Sequence, residues 1–177
     1  MSKHKRIFII GHSGAGKGVF AEALAKKLGW LCINTDFALA TSVGRTVTEL
    51  LGKQGEEAFQ QCLSDVLSHQ LSKENIVVVT DDSIVSSEKN RKILKAEFTV
   101  NLKVSTPIQF KRLSNSRPFL PVADYKAFLD KLHKERDHWY EESACFTLST
   151  DINAENEQQV KAVIDEHVMM TVKALEQ

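Results

Sequence analysis

The chain has 177 residues, of which 42% are hydrophobic and 26% charged, and its formal net charge is zero. This composition predicts one globular domain over residues 1–177, and because Lys and Arg form no long run it excludes a track for nucleic acid or an anionic membrane surface. No apolar stretch is long enough to span a bilayer and no secretion signal precedes the first predicted strand, so we expect a cytoplasmic protein with small ligands.

The first predicted strand, residues 6–10, runs into the glycine-rich stretch GHSGAGKG at residues 11–18. Apolar residues at helical spacing predict a helix after it, with Gly29 as its C-terminal stop. In this context G-x-x-x-x-G-K predicts a phosphate-binding loop, in which backbone N–H groups hold an anion and Lys17 reaches the β and γ phosphates. The alternative is a glycine-rich turn that only joins strand to helix. The predicted nucleotide contacts are Gly11, Ser13, Gly14, Ala15, Gly16, Lys17, Gly18 and Val19.

The remaining elements alternate between strand and helix along the chain. Strands are predicted at residues 31–34, 76–79, 98–104 and 146–149, and helices at residues 55–71, 107–113, 125–144 and 160–175. Two prolines and small polar residues predict a mobile loop at about residues 114–124. Alternating strands and helices imply a parallel sheet covered on both faces. Ligands then bind beyond the carboxyl ends of the strands, where residues 34–36 and 80–83 should converge on the glycine loop.

Cysteine and histidine give no metal-ligand pattern in the sequence. Cys32, Cys62 and Cys145 are widely separated, and we expect each to be a small core residue. The six histidines form no ligand-like cluster, and His12 inside the glycine loop is expected to make local hydrogen bonds.

The order and spacing of several short motifs resemble the shikimate kinases, which move the γ-phosphoryl group of ATP to a hydroxyl of shikimate. Besides the glycine loop, the motifs are T-D at residues 35–36, G-E-x-x-F at 55–59, N-R-x-x-L at 90–94, R-P-F-L at 117–120 and E-R-x-x-x-Y at 135–140. The resemblance implies an α/β P-loop kinase with a five-stranded parallel sheet flanked by helices, a lid at about residues 114–124, ATP and Mg²⁺ as cofactors, and usually a monomer.

The resemblance also implies roles for individual residues. Lys17 would hold phosphate oxygens, Asp36 would orient or deprotonate the acceptor hydroxyl, and Arg117 in the lid would bind the transferring phosphoryl group. Arg136 would bind a carboxylate of the acceptor, and Arg112 would contact the nucleotide. The alternatives are a helix cap for Asp36, a solvated loop charge for Arg117 and a surface ion pair for Arg136.

The chain departs from the family pattern at two residues expected to bind metal. Gly18 replaces the hydroxyl residue after the loop lysine, and Asn34 replaces the first carboxylate of D-T-D. The apolar strand that ends at Asp81 resembles a Walker B strand, so we hypothesise that Asp81 or Asp82, together with Asp36, holds Mg²⁺. The alternative is that residues 81–83 form a polar turn.

Two further departures fall on the acceptor side. Gln60 replaces an arginine for the substrate carboxylate, and Asp81-Asp82-Ser83 replaces three glycines. The predicted acceptor contacts are Asp36, Gln60, Asp81, Asp82 and Arg136. We therefore predict a kinase of a small hydroxylated metabolite that is neutral or cationic, with shikimate disfavoured. One alternative is a nucleotide-binding protein with little or no activity that serves sensing or protein interaction; another, favoured by G-K-G, is a nucleoside or nucleotide kinase.

Overall fold

The computed structural model describes residues 3–38, 46–116, 122–152 and 156–177. One parallel sheet with strand order β2-β3-β1-β4-β5 forms the centre of the molecule. Its strands are β1 (Arg6–Gly11), β2 (Leu31–Asn34), β3 (Ile76–Val79), β4 (Phe98–Lys103) and β5 (Phe146–Ser149). All five strands were predicted from the sequence, and the predicted fold class is confirmed.

Helices connect the strands. They are α1 (Lys17–Leu28), α2 (Val47–Gln70), α3 (Glu88–Ala96), α4 (Thr106–Ser116), α5 (Val122–Ser143) and α6 (Glu157–Leu175), with a 3₁₀ turn at Ile84–Ser86. Helix α3 was not predicted, because its nine residues are mostly charged and bury only Asn90 and Leu94 completely. Its only large apolar residues, Ile93 and Leu94, are adjacent, so no apolar spacing repeats over several turns.

The central strand β1 is buried on both faces. Ile7 and Ile9 pack into one cluster with residues of α1 and α6, whereas Phe8 and Ile10 pack into another with residues of α2 and α5. A strand that alternates between two buried layers reads in sequence as a continuous apolar run. The layers fix the sheet rigidly and bring the glycine loop, α4 and α5 together at its carboxyl edge.

Several expectations differ from the structure. Cys62 and Cys145 are exposed, so the expectation of a core position was wrong for these two, whereas Cys32 is half-buried and packs against the core. Cys62 lies on the outer face of α2, and Cys145 precedes an edge strand. Helix α4 continues through residue 116 and α5 begins at residue 122, so both ends of the predicted loop are helical. Arg117 and the rest of that loop lie outside the described residues.

No helix within the described ranges is both long enough and apolar enough to cross a membrane.

Candidate functional site

The glycine loop joins the carboxyl end of β1 to the start of α1. Gly16 caps α1 with φ 88°, a left-handed conformation that glycine adopts without strain. A Cβ on Gly11 would lie 2.6 Å from the carbonyl oxygen of Leu102 on β4, a fixed backbone atom. Backbone geometry and close strand packing therefore require glycine at these positions, and the loop leaves the N-terminus of α1 open to an anion.

Lys17 begins α1 and is almost completely buried. Its Nζ donates a hydrogen bond to the carbonyl oxygen of Gly11 at 2.7 Å and lies 3.5 Å from Oδ2 of Asp36. The other oxygen of Asp36 accepts from the backbone N–H of Ala38 at 3.0 Å, which makes an Asx turn after β2. The structure thus brings together the two residues that the family resemblance assigns to phosphate binding and acceptor activation.

Two side chains of helix α4 donate hydrogen bonds to backbone carbonyl oxygens of the glycine loop. Arg112 donates to the carbonyl oxygen of Gly14 at 3.0 Å and to that of Thr150 at 2.5 Å, and Gln109 donates to the carbonyl oxygen of Ser13 at 2.7 Å. These bonds fix peptide planes of the loop and tie it to the segment after β5. Arg112, predicted to contact the nucleotide, bonds the loop backbone at Gly14, whereas nothing in the sequence singled out Gln109.

A cavity of about 350 Å³ lies beside the loop, between α1, α4 and α6. It is lined by Ala15 and Gly16 of the loop, by apolar side chains that include Val19, Phe20 and Ile164, and by Lys111 and Arg112. An apolar slot next to a phosphate loop has the shape and polarity to hold a flat base attached to a phosphate chain.

Asp81 follows β3 and accepts four hydrogen bonds. Its Oδ2 accepts from the N–H groups of Phe37 at 2.9 Å and Ala38 at 3.3 Å, and its Oδ1 accepts from the N–H and hydroxyl of Ser83 at 3.0 and 2.7 Å. Burial, together with the adjacent carboxylate of Asp82, raises the pKa of Asp81. Residues 34–36 and 80–83 do converge, and Asp81 connects them.

Asp82 forms a buried ion pair with Arg136 of α5. Arg136 Nη1 lies 3.1 Å from Asp82 Oδ2, both side chains are almost inaccessible, and the Tyr140 hydroxyl donates to the Asp82 carbonyl oxygen. Burial alone would lower the pKa of Arg136, but the Asp82 carboxylate and Tyr140 raise it. The alternative of a surface ion pair for Arg136 is therefore wrong. Arg136 pairs in the interior, where the carboxylate of Asp82 balances its charge.

A second cavity, also about 350 Å³, lies between α2 and α5 and shares no lining residue with the first. Its charged and polar lining includes Glu49, Glu56, Gln60, Ser83, Lys131, Glu135 and Arg136. Gln60 donates to the Ser83 carbonyl oxygen at 3.3 Å, and its buried Oε1 has no hydrogen-bond partner among the described residues. A polar ligand with a hydroxyl donor would satisfy that oxygen.

The residues expected to bind metal lie close together. One carboxylate oxygen each of Asp36, Asp81 and Asp82 lies within 4.8 Å of the others. Hard oxygen ligands suit Mg²⁺, and Asp36 has the most accessible of the three side chains, whereas Asp81 is occupied by four donors. The donor set therefore fits the ion, with Asp36 the most accessible ligand.

Functional candidates that the sequence argument missed lie mainly on α5. Lys131 and Glu135 are one turn apart and face the second cavity, and His133 and Asp137 are one turn apart and face the glycine loop. The sequence did not indicate that His12 and His133 meet at Asp137, and the hydrogen bond of His12 is not local as expected, since Asp137 lies 125 residues away. The i, i+4 spacing on a helix was the available signal, but it does not show which loop lies opposite.

The parallel sheet, the glycine loop opening a helix and the base-sized cavity define a P-loop nucleotide-binding protein. The family model described as shikimate kinase matches residues 13–168. The shikimate kinase of Legionella pneumophila (strain Corby) is 34% identical over 152 residues, covering 84% of this chain and 87% of the relative. That of Xanthomonas oryzae pv. oryzae (strain PXO99A) is 31% identical over 154 residues, covering 85% of this chain and 86% of the relative.

Among solved structures, the shikimate kinase of Acinetobacter baumannii in complex with shikimate superposes with a TM-score of 0.74 at 25% identity, covering 98% of this chain and 96% of that one. The chain therefore belongs to the shikimate kinase family and is an ATP-dependent kinase of small molecules.

Proposed function

We propose that this kinase transfers the γ-phosphoryl group of ATP to a hydroxyl of a small metabolite that carries no carboxylate. The observation that carries the proposal is the buried Asp82–Arg136 ion pair. A carboxylate acceptor would either displace Asp82 from Arg136 or stand beside it, and two carboxylates about 4 Å apart repel by roughly 4 kcal/mol at an effective dielectric of 20. A neutral or cationic acceptor avoids that cost.

The charges of the second cavity support the same acceptor class. Glu49, Glu56 and Glu135 line it together with Lys131, and Arg136 is already neutralised. Carboxylates thus outnumber the remaining cation. Hydroxyl groups of a polyol can donate to such carboxylates and to the free Oε1 of Gln60.

On the nucleotide side, the proposal assigns the base to the cavity beside the loop and the phosphates to the loop amides and the start of α1. Lys17 exchanges the Gly11 carbonyl for phosphate oxygens, and Asp36, released from Lys17, orients or accepts the proton of the acceptor hydroxyl. Arg117, outside the described residues, remains the proposed cation for the transferring phosphoryl group.

The shikimate kinase family uses ATP, typically with Mg²⁺, which neutralises charge on the phosphate oxygens when bound. We propose Asp36 as the principal carboxylate for the ion. Asp81 is a second candidate, but it would have to give up one of its backbone hydrogen bonds to the turn at residues 37–38.

Coupled ADP release with shikimate and with its methyl ester tests the acceptor class, because the two share a ring and differ in the carboxylate charge. We expect the ester to have a kcat/KM at least about tenfold higher, the low end of a charge-assisted contact. Preferential turnover of shikimate would contradict the proposal. Nucleotide binding without turnover of either compound or of other polyols would favour the binding-protein alternative.

Restoring a hydroxyl at position 18 should strengthen magnesium-dependent ATP binding. A Cβ built on Gly18 has no heavy atom within 4 Å, so Gly18→Ser fits the first turn of α1 without displacement. Calorimetry should show that the Kd of Gly18→Ser for ATP is about threefold to tenfold lower than that of the parent with Mg²⁺ present. In EDTA the two Kd values should be equal. Gly18→Ala is the matched control, since it also improves helix propensity but supplies no oxygen. Equal gains in both variants would contradict a metal role.

A further inference from the structure

A ring of hydrogen bonds runs from Ser13 of the glycine loop through α4 and α5 and ends at His12, the loop residue next to Ser13. Gln109 of α4 donates to the carbonyl oxygen of Ser13 at 2.7 Å, and its Oε1 lies 2.8 Å from Nε2 of His133 on α5. His133 Nδ1 lies 3.0 Å from Oδ2 of Asp137, and Asp137 Oδ1 lies 2.5 Å from Nε2 of His12. The ring therefore connects the loop to two separate helices.

The hydrogen positions follow from what each partner can accept. The Ser13 carbonyl only accepts, so Nε2 of Gln109 faces it and Oε1 of Gln109 faces His133. Partial burial would raise the pKa of Asp137, but hydrogen bonds from His12 and His133 hold it well below its ordinary value. An acceptor oxygen thus faces each ring nitrogen of His133, so the ring is held between α4 and Asp137.

His12 completes the ring in its neutral form. Its side chain is nearly inaccessible, and its ring stacks on that of His133 with centroids 3.9 Å apart. Burial, together with the neighbouring His133, lowers the pKa of His12 to about 4 against the opposing effect of its hydrogen bond to Asp137. With its hydrogen on Nε2, His12 donates to Asp137, and its ring face covers the ring of His133.

Two histidines and a carboxylate are also a common set of zinc ligands. Atoms bound to one zinc ion at about 2.0–2.2 Å lie roughly 3 Å apart or more. His12 Nε2 and Asp137 Oδ1 are 2.5 Å apart, closer than two ligand atoms of one zinc ion lie. This geometry fits a shared hydrogen and not a metal ion.

We propose that His133 and Asp137 are positioning residues for the nucleotide, acting through Gln109 and His12 to fix the glycine loop before ATP arrives. A peptide carbonyl and the next N–H point in opposite directions, so holding the Ser13 oxygen toward α4 turns the Gly14 N–H the other way. A loop ordered in advance loses less conformational freedom on binding phosphate. The inference rests on the nucleotide half of the proposed function and is independent of the acceptor.

Binding of ADP by calorimetry tests the proposal without requiring turnover. We expect Asp137→Ala to raise the Kd for ADP about tenfold, and Asp137→Asn, which keeps one acceptor oxygen, to raise it less. Nitrogen-15 spectra should show a changed Nδ1 chemical shift for His133 in Asp137→Ala relative to the parent, because the hydrogen-bond acceptor of that nitrogen is removed. A purely structural role would lower the melting temperature without this nucleotide-specific loss or the spectral change.

Glu141→Ala is the matched control, because Glu141 lies one turn further along α5 and makes an exposed ion pair with Lys103 at 3.4 Å. Its Kd for ADP should equal that of the parent. Should Asp137→Ala fail to fold, His133→Gln is measured instead, since it keeps a donor for Gln109 and loses the contact with Asp137. Unchanged ADP affinity in the folded variants, or an equal loss in Glu141→Ala, overturns the proposal. Absence of ADP binding by the parent would instead refute the proposed function.

Discussion

Replacing Lys17 with methionine is expected to lower kcat/KM for ATP by about 10²–10³, the usual cost of removing one preorganised cation or donor from a reacting oxyanion. The ammonium group is already buried at the mouth of the loop and is held by the Gly11 carbonyl and the Asp36 carboxylate. It therefore needs little reorganisation to reach phosphate oxygens. Coupled ADP release with the acceptor that the parent enzyme prefers measures the effect.

Lys27→Met is the control for Lys17→Met, because it removes the same ammonium from an exposed position near the end of the same helix. We expect its kinetic constants to match those of the parent. Retention of activity within about tenfold in Lys17→Met would contradict a role for Lys17 in charge stabilisation. Equal losses in both variants would indicate an effect on α1 and not on chemistry.

Breaking the interior ion pair should have the largest effect on stability. Asp82→Ala leaves the Arg136 charge buried without its carboxylate, which costs about 3–5 kcal/mol of the free energy of unfolding. Removing both charges, in Asp82→Ala with Arg136→Met, should restore much of that loss because no unpaired charge remains. Urea unfolding of the two variants measures the difference, and equal stability would show that the pair is not coupled.

The same pair should control acceptor choice. Asp82→Asn keeps an amide oxygen for Arg136 but removes the competing negative charge, so Arg136 becomes available to a substrate carboxylate. We expect shikimate to bind at least about tenfold more tightly than to the parent, while its methyl ester changes little. Calorimetry with both compounds measures this difference. Asp65→Asn, at an exposed carboxylate on α2, serves as the control, and no gain for shikimate in Asp82→Asn would refute the assignment.

Local sequence was sufficient to predict elements that have a distinct pattern of apolar residues or glycines. Short segments rich in apolar and β-branched residues predicted all five strands, two of them as apolar runs at residues 6–10 and 76–79, and glycine spacing between a strand and a helix predicted the phosphate loop. Helix α3 was not predicted, because so short and charged a segment is stabilised as a helix by the elements that pack against it. The exposed cysteines show the same limit, since residue type alone does not decide which face of an element is buried.

The residue that pairs with a charged side chain can lie far from it in the sequence. The family resemblance predicted Arg136 as an acceptor contact, and the sequence offered only its neighbours on the helix as alternative partners for its charge. The actual partner, Asp82, is 54 residues away and reaches Arg136 only because α5 packs across the end of β3. For the same reason Asp81, a metal candidate by position, is found holding the turn after β2.

The sequence by itself determined the fold, the family and the nucleotide loop, because these depend on periodicity and on spacing between near neighbours. Only the tertiary structure decided that Arg136 is neutralised and that His12, His133 and Asp137 meet. Such pairings depend on how separate elements pack over the sheet edge. The free energy of a buried charge is set by those distant neighbours, and the linear order of residues does not contain it.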